Sequence, residues 1–127
     1  MTEIKPESAL RLQPAIPVLR IYDEAKAKEF YVDFLGFTVD WEHRYGDDFP
    51  LYMQVSRSGV KLHLSQHYGD GTPGSHVYIR GAGIAALAKE LNEKKYRFAK
   101  PGADDPHPNI TDPFGNVLRF DDESNHK

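Results

Sequence analysis

Apolar residues recur in short segments, and their spacing predicts the same order of strand, helix and further strands twice along the chain. Alternating apolar positions favour strands, whereas apolar positions three and four residues apart favour helices. Strands are predicted at 16–21, 37–43, 51–55, 60–67, 76–80, 96–98 and 117–121. Helices are predicted at 24–35 and 84–95. Strand pairs that follow each helix indicate an α+β fold.

The two predicted helices and their flanking strands repeat with an offset of 60 residues, since a strand begins at 16 and again at 76. A glycine- and proline-rich connector, YGDGTPGS at 68–75, separates the copies. We therefore expect one domain over 1–127, with module one at about 15–67 and module two at about 76–121. The first helix has clear ends, because Asp23 is a suitable N-cap and Gly36 a suitable C-cap.

Alternation within the strands gives the predicted sheet one apolar and one polar face. The residues expected to pack under the helices are Leu62, Leu64, Val77, Ile79, Leu118 and Phe120. The opposite parity contains Lys61, His63, Ser65, His67, His76, Tyr78, Arg80, Arg119 and Asp121. Such a polar face either lines a cavity or is simply solvated, as in many antiparallel sheets.

Trp41 and Tyr52 are large aromatic residues whose environment depends on strand parity. Trp41 shares the parity of Phe37 and Val39, which favours packing in the core, although a β-bulge would turn it toward the polar face. Tyr52 has the opposite parity to its apolar neighbours, so we expect it on the polar face, either in a cleft or on the outer surface.

Composition excludes several classes of function. The chain has 127 residues, and its 16 Lys and Arg against 19 Asp and Glu do not favour non-specific nucleic-acid binding. The absence of cysteine excludes disulfides and thiolate sites. No apolar run approaches the about 18 residues of a membrane span, and charged residues near the N-terminus do not fit a signal peptide. We expect a cytoplasmic protein without membrane or nucleic-acid partners.

Three blocks of the sequence resemble the vicinal oxygen chelate superfamily, which includes glyoxalase I, extradiol dioxygenases and bleomycin-resistance proteins. They are AIPVLRIYD at 15–23, FYVDFLGF at 30–37 and DPFGNVLRF at 112–120. The opening block is most similar to the bleomycin-resistance branch. The resemblance implies two tandem βαβββ modules forming a curved mixed sheet with a cleft, and a homodimer with binding clefts at the subunit interface. Module two is expected to be shortened, because 102–111 lacks the Trp-Gly strand of that branch.

The resemblance also assigns the positions that hold a metal in other branches of the superfamily. They fall on Ile16, His63, His76 and Arg119, and neither an isoleucine nor an arginine can bind a metal ion. This favours a binding protein without metal or cofactor. The alternative is a metal-dependent lyase, isomerase or dioxygenase with an atypical site around His63 and His76. A small-molecule sensor or accessory module is a third possibility.

The ligand-binding function implied by the resemblance is sequestration of an antibiotic or metabolite in the cleft. The residues expected to bind the ligand are Arg20, Trp41, Tyr52, Lys61, His63, His67, His76, Tyr78, Arg80 and Arg119. The four cations among them exceed the compatible anions Asp40, Glu42 and Asp121. Since arginine binds carboxylate and phosphate well, we expect a ligand with an anionic group, and weak or no binding of bleomycin itself.

Overall fold

The protein contains seven strands and two α-helices within residues 9–94 and 100–126, which are the residues that the computed structural model describes. The strands are β1 Val18–Arg20, β2 Thr38–His43, β3 Tyr52–Arg57, β4 Val60–Ser65, β5 His76–Gly81, β6 Asn109–Thr111 and β7 Val117–Asp122. The helices are α1 Glu24–Lys28, continued by a π-helical segment Glu29–Phe34, α2 Ile84–Glu93, and a final 3₁₀ turn Glu123–His126. The strand predicted at 96–98 lies outside the described residues. No helix within the described ranges is long and apolar enough to cross a membrane.

The strands form two mixed sheets with related topology. The first has the order β1-β4-β3-β2 and the second the order β5-β7-β6. In each sheet the first strand pairs in parallel with the last, β1 with β4 and β5 with β7, whereas the other pairs are antiparallel. The predicted α+β fold of tandem modules is confirmed. Strand β6 has three residues where its counterpart β3 has six, in agreement with a shortened second module.

The first helix begins where the sequence predicts and changes its geometry half-way. The Asp23 carboxylate accepts a hydrogen bond from the Lys26 amide at 2.9 Å, as an N-cap does. From Glu29 onward the turn widens, and the Leu35 amide donates to the carbonyl of Phe30, five residues earlier, at 2.8 Å. This π-helical turn differs from the predicted continuous α-helix and buries Phe30, Tyr31 and Phe34 together. Gly36 then ends the segment with φ +77°.

Apolar side chains from both sheets and both helices form one continuous core. The strand-parity prediction is confirmed for β4 and β7, because Leu62, Leu64 and Leu118 are fully buried and Phe120 is nearly so. Val77 and Ile79 of β5 pack against the same core but are only partly buried. The two halves are also joined by buried polar contacts. The Tyr31 hydroxyl donates to Asp112 at 2.6 Å, and the Asn116 side-chain amide donates to the carbonyl of Arg20 at 2.9 Å.

Candidate ligand-binding site

Three ring side chains from neighbouring strands meet on the polar face of the first sheet. Trp41 of β2 and Tyr52 of β3 are stacked, with ring planes 10° apart and centroids 5.9 Å apart. The His63 ring of β4 meets both with its edge, at centroid distances of 5.3 Å from Trp41 and 5.1 Å from Tyr52. Because Trp41 remains 42% exposed, part of this aromatic surface is free to contact a ligand.

A β-bulge in β2 explains why Trp41 lies on this face and corrects the expectation that it packs in the core. Val39 pairs with Val55, but the next pair joins Trp41 to Gln54, so Asp40 is an extra residue in the strand. The bulge shifts the alternation of the following residues by one position.

The same shift moves Glu42 off the polar face. Its carboxylate lies 3.1 Å from the Lys28 ammonium of α1, on the side of the sheet that the helix covers. The expectation that Glu42 lines the cleft is therefore wrong, and the reason is again the bulge at Asp40.

A chain of side-chain hydrogen bonds connects Tyr52 and His63 to Asp40. The Tyr52 hydroxyl lies 2.7 Å from His63 Nδ1, and His63 Nε2 lies 3.0 Å from Gln54 Oε1. The Gln54 amide nitrogen donates to Asp40 Oδ2 at 2.9 Å, and the Ser56 hydroxyl donates to Asp40 Oδ1 at 2.9 Å. Both ring nitrogens of His63 are therefore engaged within the protein.

The environment of each group sets its charge at neutral pH. Partial burial lowers the pKa of His63, so the imidazole is neutral. Burial, and then the charge of Asp70, raise the pKa of Tyr52, so the phenol keeps its proton. Hydrogen bonds from Gln54 and Ser56 lower the pKa of Asp40, so this carboxyl group is ionised. The chain thus consists of neutral groups that end at one carboxylate.

An open pocket of about 470 Å³ lies beside the stack and is lined by Trp41, His43, Tyr45, Tyr52, His67 and Asp70. The predicted residue His67 contributes its ring, whose centroid lies 6.2 Å from that of Tyr45 and 6.3 Å from that of Tyr52. His43, Tyr45 and Asp70 are not among the predicted site residues. By strand parity His43 shares the core-facing expectation of Trp41, which the bulge reverses, and Tyr45 and Asp70 lie in loops whose path the sequence pattern does not define. The sequence therefore gives no signal that places these three residues in the pocket.

The predicted cations do not gather around the aromatic pocket. Arg20 donates to the main-chain carbonyl of His67, and its guanidinium lies 4.9 Å from the centre of the Tyr22 ring. Lys61, Tyr78 and Arg80 line a second pocket of about 380 Å³, where residues 13–17 meet β4 and β5.

Two further predicted residues belong to the second sheet. His76 begins β5 and Arg119 lies within β7, and both are exposed. Within residues 9–94 and 100–126, no hydrogen bond or ring contact joins either of them to the rings of Trp41, Tyr52 and His63. The predicted ligand-binding residues therefore divide between four places: the aromatic stack with its pocket, the Lys61–Arg80 pocket, the surface of the second sheet, and a separate pocket that Arg20 lines with Tyr22 and Arg44.

Comparison with known families agrees with this architecture. A family model described as glyoxalase superfamily protein matches residues 2–127. The chain belongs to the glyoxalase superfamily. Comparison with curated proteins gives no match.

Several solved structures resemble the chain over most of its length. The bleomycin-binding protein of Streptomyces verticillus, determined with copper(II)-bleomycin, is 25% identical, with a TM-score of 0.63 over 89% of this chain and 98% of that chain. The bleomycin resistance determinant encoded on transposon Tn5 is 19% identical, with a TM-score of 0.63 over 88% and 99%. An antibiotic-binding protein from Streptomyces sp. CB03234 is 19% identical, with a TM-score of 0.58 over 89% and 98%. The latter two show the shared fold.

The donor atoms of this glyoxalase-superfamily chain do not fit the metal ion of the metal-dependent branches. By the resemblance of the sequence blocks, two of the corresponding positions fall on Ile16 and Arg119, and His63 uses both ring nitrogens in protein hydrogen bonds. Within the described part of the chain, no group of three or more His, Asp or Glu side chains is arranged to hold a metal ion. A catalytic zinc site usually has three protein ligands.

Proposed function

We propose that the protein binds a small planar molecule on the Trp41–Tyr52 stack in the cytoplasm and sequesters it without converting it. The observation that carries this proposal is the half-exposed Trp41 ring, stacked on Tyr52 beside an open pocket. A flat, rigid aromatic surface offers a large apolar contact area to a planar ligand at little cost in conformational entropy. Sequestration then acts by mass action, because bound ligand is withdrawn from its target.

Similarity to a protein with a known ligand supports the proposal. The bleomycin-binding protein of Streptomyces verticillus shares 25% identity and the fold with this chain. An antibiotic is therefore one class of ligand to test, and resistance to it is the expected consequence of sequestration. The ligand contacts themselves must come from this chain's own residues, which are Trp41, Tyr52 and the rim residues His67 and Asp70.

We propose that an anionic group of a ligand binds in the pocket between the two sheets. Lys61 and Arg80 line that pocket together, and Tyr78 adds a hydroxyl group. Arg20 is engaged with His67, and Arg119 contributes to neither pocket. A carboxylate or phosphate at Lys61 and Arg80 would gain charge-assisted hydrogen bonds.

A thermal-shift screen of planar compounds, followed by mass spectrometry of the recovered ligand, tests the function. A ligand at 100 times its Kd should stabilise the wild-type protein by about 2.7 kcal/mol, and it should be recovered unchanged. Metal-free bleomycin should bind weakly, and Lys61→Ala should weaken anionic compounds more than neutral ones of the same shape. Conversion of the ligand, or stoichiometric metal that is lost in His76→Ala, would instead support the metal-dependent enzyme.

We also propose a homodimer with the binding clefts at its subunit interface, as the resemblance to the bleomycin-resistance branch implies. The aromatic pocket exposes large rings, among them Trp41 at 42% and Tyr45 at 75%, which a second subunit would partly cover. Light scattering at micromolar concentration should give twice the 14.4 kDa mass of the chain. The mass of a single chain would contradict the dimer, and the ligand would then be bound by the aromatic pocket of one subunit.

A further inference from the structure

The hydrogen bonds that run from Tyr52 through His63 and Gln54 to Asp40 all have the same donor-to-acceptor direction, and the Asp40 carboxylate imposes it. Asp40 is ionised, so its oxygens only accept hydrogen bonds. The side chain of Gln54 must therefore present its NH₂ group to Asp40, and its carbonyl oxygen faces His63 Nε2. A reversed amide would place two acceptor oxygens against each other at 2.9 Å.

The orientation of Gln54 fixes the tautomer of His63. Only a protonated Nε2 can donate to the Gln54 oxygen at 3.0 Å. Since the imidazole is neutral, Nδ1 then carries a lone pair, and it must accept the hydrogen bond of the Tyr52 hydroxyl at 2.7 Å. All three protons of the chain point toward Asp40.

This direction determines what the Tyr52 oxygen offers to a ligand. Its only proton is committed to His63, so the oxygen presents lone pairs alone on the aromatic surface. Asp70, on the rim of the same pocket, adds side-chain oxygens that also accept hydrogen bonds. A planar ligand that carries an N–H or O–H donor at this point gains a hydrogen bond, whereas a ligand with an acceptor there meets another acceptor.

We infer that Asp40, which does not line the pocket, is a specificity-determining residue that makes the aromatic site select planar ligands with a hydrogen-bond donor. Asp40 acts through Gln54 and His63 on the free lone pairs of Tyr52, and is thus a positioning residue. Strand alternation already places Asp40 on the polar face, and the β-bulge turns Trp41 to the same face, so the stacking surface and the residue that sets its polarity share one side of the sheet. The inference rests on the proposed binding function.

The tautomer of His63 in the free protein tests the direction of these hydrogen bonds without any ligand. Two-dimensional ¹H–¹⁵N spectra at neutral pH should show the Nε2–H tautomer in the wild type. In Asp40→Asn the side chain can also donate, so Gln54 is free to reverse and both tautomers should be populated. Ser56→Ala is the matched control, because it removes another hydrogen bond of Asp40 and should leave the Nε2–H tautomer unchanged. A wild-type Nδ1–H tautomer, or no change in Asp40→Asn, would overturn the inference.

Indole and benzofuran test the consequence for binding, since they share one shape but differ in a donor N–H and an acceptor oxygen. By NMR titration the wild type should bind indole about five- to tenfold more tightly, the value of one hydrogen bond. Asp40→Asn and Tyr52→Phe should bring the ratio to within about twofold. An unchanged ratio in Asp40→Asn would overturn the inference. If neither compound binds while the tautomer responds as expected, the planar-ligand function is wrong, but the direction of the hydrogen bonds from Tyr52 to Asp40 is confirmed.

Discussion

Replacement of Asp112 by alanine is expected to lower the free energy of unfolding by about 3–5 kcal/mol. The side chain is only 4% exposed and accepts four hydrogen bonds. Their donors are the Tyr31 hydroxyl at 2.6 Å, the amides of Phe114 and Asn116 at 2.8 Å, and the Asn116 side chain at 2.9 Å. Alanine would remove the acceptor of four hydrogen bonds at a buried position, and losing the acceptor of a buried donor costs more than a hydrogen bond gains.

The effect should be large because Asp112 joins the two halves of the protein. Tyr31 belongs to the π-helical segment of the first half, whereas Asp112 and Asn116 lie in the turn before β7. Urea denaturation of Asp112→Ala measures the loss, and the exposed residue Asp104 supplies the control, since Asp104→Ala should stay within about 0.5 kcal/mol of wild type. A loss below about 1 kcal/mol for Asp112→Ala would show that this network contributes little to stability.

The fold could be predicted from the sequence because several independent signals agree. The helices begin at Glu24 and Ile84, an interval that matches the predicted offset of 60 residues. The buried positions of β4 and β7 follow the alternation of apolar residues, as at Leu62 and Leu118. Side-chain alternation in a regular strand has a fixed period of two residues, so parity is a dependable guide wherever the strand is regular.

The core packing that strand parity favours for Trp41 is wrong because β2 is not regular, whereas its place among the ligand-binding residues stays a prediction. The bulge depends on the register between β2 and β3, where Asp40 is the extra residue opposite Val55 and Gln54. Nothing local in the sequence VDWE indicates it, since no glycine marks the position. The bulge is a property of the strand pair, and hydrogen bonds from Gln54 and Ser56 to Asp40 accompany it in the folded protein.

Strand parity also does not predict how the cationic side chains are distributed over the polar face. Lys61, Arg80 and Arg119 share the parity of the polar face, and Arg20 is expected with them among the ligand-binding residues. Parity assigns a face but gives neither the position along the strands nor the direction of a long side chain. In the structure Arg20 bends to the main chain of His67, and only Lys61 and Arg80 line one pocket. Long cations reach several places from one backbone position, so their partners require coordinates.

Replacement of Trp41 by alanine should have the largest effect on ligand binding. A half-exposed aromatic ring at the centre of a binding surface contributes about 2–4 kcal/mol, so the affinity for a planar ligand found in the thermal-shift screen should fall about 30- to 1,000-fold. Trp41→Phe should recover part of the affinity, because phenylalanine keeps a smaller flat ring. Calorimetry measures both variants against the wild type.

Tyr68→Ala is the control for a general effect of removing an aromatic residue. Tyr68 is 97% exposed and does not line the aromatic pocket, so the affinity should stay within about twofold of wild type. Trp41→Ala itself should unfold with a free energy close to that of the wild type, since the ring is 42% exposed on the surface of the sheet. The chain has one tryptophan, so a planar ligand that stacks on it should also change the fluorescence of the wild-type protein. Unaltered affinity in Trp41→Ala, with the fold intact, would place the ligand elsewhere and contradict the proposed site.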